Sequence, residues 1–208
     1  MEGTLVNGPG DEMTGVIWSW IIEELLDPHV RLNLETYDLS LPSRERTGDA
    51  VTRNFAEAIL RHRVGVKCAT ITPNDDRVKE FGLTQKWKSP NATIRAILDG
   101  VIVRRPIDGL GINPKVPAWG NTRLAVLRHG SGDIYGGQEL RVDEPGRAEI
   151  LFTPSGGGEP QRKILRDFAG PGVVMGMTNT DDSIRGFARA CLRYGRAEGM
   201  CVWFAAKD

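Results

Sequence analysis

The stretch KWKSPNATIRAILDGVIVRR, residues 86–105, carries Ser89, Asn91, Arg95 and Arg104 within sixteen positions. A hydroxyl, an amide and two guanidinium groups supply mostly hydrogen-bond donors, and the planar fork of arginine grips an oxyanion through two parallel bonds. The chemistry such a set can do is capture of a small anion. Taken singly, each arginine reads as one half of a solvated ion pair, which contributes little. The density of donors is what points to a site. That site must be local, because 27 basic and 27 acidic side chains cancel to a formal net charge of zero. No global field is left to attract nucleic acid or an anionic membrane.

The elements that must position these groups follow from the patterning. Residues 86–105 read as a loop, a helical turn and a strand. Upstream, LVNGPGDEMTGVIWSWIIEELLDP suggests a short strand, a glycine turn and a helix with Asp11 near its N-cap, closed by Asp27-Pro28. VRLNLETYDL alternates as a strand, TGDAVTRNFAEAILRHR has a capped helical pattern, and VGVKCATIT is a β-branched run suited to a buried strand. Strand and helix in alternation predict an α/β sheet with crossover helices.

Downstream of residue 105 the character changes. Prolines and glycines break the chain as far as Trp119, TRLAVLRHG reads as a strand, and RAEILFTPSGGGEPQRKILRDF reads as a hairpin about Gly156, Gly157 and Gly158. GVVMGMTN predicts another strand and DDSIRGFARACLRYGRAEG a helix capped by Asp181 or Asp182. MCVWFAAKD predicts a final strand. Cys68, Met175, Met177, Cys191, Cys201 and Trp203 lie in apolar runs and read as core. His62 reads as a solvated helix end, and His129 as a hydrogen-bonded support.

The 208 residues, 40% apolar and 26% charged, suit a globular protein. Three unclustered cysteines fit reduced thiols, and neither a membrane span nor a signal peptide is legible. A soluble, cytoplasmic protein is therefore expected.

Five segments together resemble the NADP-dependent isocitrate dehydrogenases of the eukaryotic-type, homodimeric class. They are GDEMTGVIW (residues 10–18), VGVKCATITP (64–73), WKSPNATIR (87–95), RHGSGDIY (128–135) and GVVMGMTNTDDSI (172–184). The likeness is collinear from Val6 to Lys207 and covers only the N-terminal half of the family chain. It implies a partial isocitrate/isopropylmalate dehydrogenase-like α/β fold. Residues 1–103 would form half of the large-domain sheet with crossover helices, and residues 104–208 a small-domain and β-rich clasp segment.

Matched residue by residue, the resemblance places Ser89 and Asn91 on substrate-carboxylate hydrogen bonds and Arg95, Arg104 and Arg128 on the arginines that clamp a tri-anion. Tyr135 matches the family's catalytic tyrosine. Lys207 matches its catalytic lysine, although FAAKD departs from the family's Ser-Thr-Lys-Asn. Lys67, Ala69, Thr70, Thr72 and Arg77 match the segment lining the nicotinamide ribose and pyrophosphate, and Ala92 stands where the family has glycine. The family's metal-binding aspartates and most of its adenosine 2′-phosphate pocket have no counterpart, so no metal ligand is assigned. NADP and Mg²⁺ or Mn²⁺ are expected only where a partner supplies the other half.

Three functions follow as expectations. One is a shortened relative that binds a 2-hydroxy or 2-oxo polycarboxylate and performs decarboxylation or proton transfer without NADP. Another is one half of a split enzyme completed by a C-terminal-half chain. The third is a non-catalytic homodimer joined through the clasp. Nucleic acid and membrane are not expected partners.

Overall fold

A computed structural model describes residues 3–104, 124–132 and 136–205. Its contacts separate two compact units, Met1–Ser131 together with Asp181–Asp208, and Gly132–Thr180.

The first unit is built on strand β1 (Thr4–Gly8), followed by helix α1 (Glu12–Trp20), which continues into a π-helical segment, Ile21–Leu26. Strand β2 (Asn33–Thr36), helices α2 (Leu41–Thr47) and α3 (Ala50–His62), and strand β3 (Gly65–Lys67) come next. The three strands form a parallel sheet in the order β2-β1-β3. Helix α3 buries Thr52, Phe55, Ala56 and Ala58, positions three or four apart that make one helical face. Phe55, Ala56 and Ala58 join Val6 of β1, Leu39 and Ile94 in the core. Burying such side chains is the main favourable contribution to folding.

Helices α4 (Asp75–Glu80) and α5 (Pro90–Leu98) lead to strand β4 (Val101–Arg104), which pairs antiparallel with β5 (Val126–His129). In the second unit, β6 (Gln138–Val142) pairs with β9 (Gly172–Gly176), and β7 (Gly146–Phe152) with β8 (Gln161–Phe168), all antiparallel. Helix α6 (Asp181–Glu198) belongs to the first unit and contacts β4 and β5.

The alternation of strand and helix, the hairpin of β7 and β8, and the helix at Asp181 match the sequence reading. Several expectations fail for physical reasons. The run from Val64 to Thr72 yields only three strand residues, because its neighbour β1 ends at Gly8. Strand β6 was not legible, since four of its five side chains are exposed. Residues 200–205 form no strand and line a cleft beside α6. Trp203 is 91% exposed, and Met175, Met177 and Cys201 are exposed as well, so these are not core residues. Cys191 is buried and Cys68 half-buried.

His62 does end α3 but is only half-exposed, with its Nε2 2.9 Å from Glu35, which also pairs with Arg61. Asp181 and Asp182 do open α6, with both carboxylates on Arg185 at 3.2 Å. That helix lies in the first unit and not in the β-rich one, so the contact division differs from a boundary after residue 103.

Candidate functional site

Ser89 stands at the N-cap position of α5, yet its hydroxyl makes no cap bond. Asn91 follows in the first turn and Arg95 four positions later, a spacing that puts both on one helix face. All three are half-buried. A turn at Asp99 and Gly100 then starts β4, which ends on Arg104.

The ladder aligns Ile102 with Arg128 and Arg104 with Val126. Residues two apart on a strand, and residues directly opposite across a pair, share a face. Arg104 and Arg128 are therefore diagonal neighbours on one side of the β4-β5 ribbon. Arg95 feels both of them. Its pKa is lowered first by burial and then by repulsion from Arg128 and Arg104. Three guanidinium groups from a helix and two strands thus converge.

The segment after β3 adds another cation. Lys67 Nζ donates to the Cys68 carbonyl and to Thr70 Oγ1, each at 2.9 Å. Burial pushes this ammonium down to about 8; Arg44 and Arg95 act in the same direction, while Cys68 and Asp11 oppose it. The influence of Arg95 on Lys67 brings the cofactor-type segment and the arginine cluster into one electropositive neighbourhood. Ala69 and Thr72 are exposed. Arg77 is already engaged by Glu12 at 2.9 Å and Glu80 at 3.0 Å and lies over the Phe81 ring. An anion arriving there would have to compete with two carboxylates.

Three residues that hold this arrangement together were not recognised in the sequence as doing so. Asp11 stands at the N-cap position of α1 but makes no side-chain cap bond. Its carboxylate instead accepts from Leu41 N–H at 3.2 Å and Ile71 N–H at 3.0 Å. Gly10 lies so close that a Cβ there would sit 2.5 Å from the Ala69 carbonyl. Arg44 of α2, fully buried, donates to Asp49 at 2.7 Å, to the Lys88 carbonyl at 2.7 Å and to the Ile71 carbonyl at 3.4 Å. Glu45 accepts from Trp87 Nε1 at 2.6 Å and Thr84 N–H at 3.1 Å, bonds that lower its pKa. Helix α2 thereby holds both the loop after β3 and the loop that delivers Ser89. The run LPSRERT carried no periodic signal that singled these residues out.

His129 does act as a support: its Nε2 lies 2.7 Å from Ser183 Oγ.

The family model for isocitrate/isopropylmalate dehydrogenase matches residues 4–207. The chain belongs to the isocitrate/isopropylmalate dehydrogenase family. It is 43% identical over 208 residues to the mitochondrial NADP isocitrate dehydrogenase of Candida tropicalis, covering all of this chain and 48% of that protein. The mitochondrial enzyme of Bos taurus is 43% identical over 204 residues, covering 98% of this chain and 45% of its own length. The NADP isocitrate dehydrogenase of Sphingobium yanoikuyae is 42% identical over 208 residues, covering all of this chain and 51% of that one. The chain spans about half the length of the curated relatives it matches. Relatives at similar identity include a peroxisomal form from Arabidopsis thaliana, so the likeness does not point to the cytoplasm. No helix among the described residues is long and apolar enough to cross a membrane.

Tyr135 and Lys207, matched to catalytic positions of the family, lie outside the described residues. For the family's divalent metal, the described residues do not make a fit: no three carboxylate, imidazole or thiol side chains converge among them. For NADP the fit is partial. Lys67, Thr70 and the exposed edge at Ala69 and Thr72 could hold the nicotinamide ribose and pyrophosphate, whereas Arg77 is committed elsewhere.

Proposed function

We propose that this chain binds an isocitrate-like 2-hydroxy or 2-oxo polycarboxylate through Arg95, Arg104 and Arg128, with Ser89 and Asn91 completing the donor set. The observation that carries the reading is the convergence of three guanidinium groups, seen in the shared face of Arg104 and Arg128 and in the repulsion Arg95 feels from both. Cations that the fold holds together favour a counter-anion, and a tricarboxylate offers three forks to match three. Burial lowers Lys67 to about 8, so it stays mostly charged at pH 7 and adds a cation beside the cluster, yet can exchange a proton more readily than an ordinary lysine. Oxidative decarboxylation with NADP, the reaction of the whole relatives, needs the other half of the fold. Proton transfer or decarboxylation of a ready-made keto acid is what the present residues can serve.

Calorimetric titration of isocitrate into the protein, with magnesium and with chelator, tests this. Binding that survives chelation and disappears in Arg128→Ala supports the cradle. Absence of heat in both buffers sinks it.

A second observation favours completion by the family's other half, on the same or another polypeptide. An open cleft of about 550 Å³ is lined by Leu124, Val126, Phe187, Met200, Trp203 and Phe204, and Leu124, Trp203 and Phe204 are exposed. Apolar surface of this kind marks a place where more polypeptide packs. Mixing with a C-terminal half of a relative should bury Trp203, read as a blue shift in its fluorescence, and restore NADP reduction. An unchanged spectrum would reject completion at this cleft. Homodimerisation through the antiparallel strands of Gly132–Thr180 is the alternative to completion by a second chain.

A further inference from the structure

We infer that Asp99 is a positioning residue for the three-arginine cluster, tying the strand that carries Arg128 to the turn between Arg95 and Arg104 through Ser131, Ser183 and His129. The inference rests on the polycarboxylate reading above and extends it to residues that touch no ligand.

Asp99 follows Arg95 by four residues and precedes Arg104 by five. Its backbone lies at φ 53° and ψ −170°, a region populated almost solely by glycine. The next residue, Gly100, is at φ 104°. A side chain is therefore held where the backbone disfavours one, and its contacts show what it does there.

Ser131 Oγ donates to Asp99 Oδ1, and Ser183 Oγ donates to the same oxygen at 2.9 Å. A hydroxyl has one hydrogen to give. With the Ser183 hydrogen on the carboxylate, His129 Nε2, 2.7 Å from Ser183 Oγ, is the donor in that contact, and Ser131 Oγ lies 3.3 Å from the same hydroxyl. The network is directional, running from imidazole to hydroxyl to carboxylate, and it fixes the tautomer of His129. Phe187 of α6 stacks on the imidazole, with ring centroids 5.1 Å apart.

The backbone repeats the tie. Asp99 N–H donates to the Arg95 carbonyl at 2.8 Å, and Gly130 N–H to the Gly100 carbonyl at 2.8 Å. A Cβ at Gly130 would sit 2.6 Å from the Gly100 carbonyl, so only glycine allows this approach. Three guanidinium groups repel one another; the β4-β5 ladder keeps Arg104 beside Arg128, and the end of α5, which carries Arg95, has still to be fastened to that ribbon. Asp99 closes that joint, with its partners contributed by β5, α6 and the loop after β5.

The test compares the whole chain with Asp99→Gly, Ser183→Ala, Ser183→Thr and Arg128→Ala. Tricarballylate affinity, the thermal midpoint and ¹⁵N relaxation of the arginine Nε–H groups are read for each. Glycine suits the backbone at 99, so Asp99→Gly should keep or raise the midpoint. It should nonetheless weaken tricarballylate by about tenfold, as misplaced ligand-holding groups do. Arg128 Nε–H should become more mobile, and the protonated Nε2 signal of His129 should be lost from the slowly exchanging set. Ser183→Ala should behave alike, and Ser183→Thr should restore affinity.

Affinity and arginine order unchanged in Asp99→Gly would overturn the inference. So would a loss of affinity that only follows a fall in the midpoint. Should the unsubstituted chain bind no tricarballylate, the polycarboxylate reading falls. The relaxation data then decide positioning alone: greater arginine mobility in Asp99→Gly upholds it, and no change removes it.

Discussion

The parallel sheet region and the antiparallel unit differ in what they do with apolar side chains. Around β1, Val6, Leu39 and Phe55 are fully buried, and the polar groups beside them, Asp11, Arg44 and Thr52, are buried and bonded. In Gly132–Thr180 the apolar residues Leu140, Ile150, Leu151, Phe152, Ile164, Leu165 and Val173 are exposed. Two-stranded sheets without a covering layer are marginal in water. The first region has a buried core around β1 that can fix donors in place, although α1 and the cleft beside α6 leave Met13, Trp20, Leu124 and Trp203 exposed. The second presents a surface that stands to gain from a partner.

That contrast can be broken most sharply at Arg44. Arg44→Met leaves Asp49 with only the Thr52 hydroxyl and strands the Ile71 and Lys88 carbonyls, a loss of about 3 kcal/mol, the low end for breaking a buried pair. Thermal denaturation should show a large fall in midpoint, together with loss of isocitrate binding. Asp11→Ala removes the acceptor of two backbone N–H groups, each of which then lacks a partner. The expected cost is about 1–3 kcal/mol by urea titration.

Lys67 sharpens the comparison through pH. Its folded value, about 8, lies below the ordinary 10.5, so between these values the unfolded chain binds more protons than the folded one. Stability therefore gains from Lys67 as pH rises through that window, and the penalty is fully present below about 8. Thermal midpoints from pH 7 to 10 should rise more steeply in the parent than in Lys67→Met. Parallel slopes would show that burial does not lower Lys67.

The smallest effect belongs to the antiparallel unit. Ile164→Ser should change stability by no more than about 0.5 kcal/mol in a monomer, as surface substitutions do. If the strands pair between copies, the same change should lower the midpoint in a concentration-dependent way, visible by sedimentation.

Much of this architecture was legible in the sequence. The helical pattern of α3 and the alternation of strand and helix from β1 to β3 were legible. Arg95, Arg104 and Arg128 stood out by type and by the resemblance of their motifs. The fasteners did not stand out, because Arg44 and Asp99 work through partners 44 and 84 positions away. No local pattern records such pairings. Trp203 and Met177 misled for the opposite reason: an apolar run reports a preference for burial, and nothing in the run says whether a covering layer is present.

The links made by Asp11 and Arg44 also bear on the order in which the chain acquires shape. They join residues 60 and 44 positions apart, and closing such long loops costs entropy before any bond compensates. The loops that deliver Lys67 and Ser89 therefore set late, after the sheet exists to hold both ends. During synthesis, which proceeds from the N-terminus, a chain that has emerged only as far as β3 lacks the Lys88 carbonyl that Arg44 needs. The proposed anion site is then among the last features the chain completes as it folds.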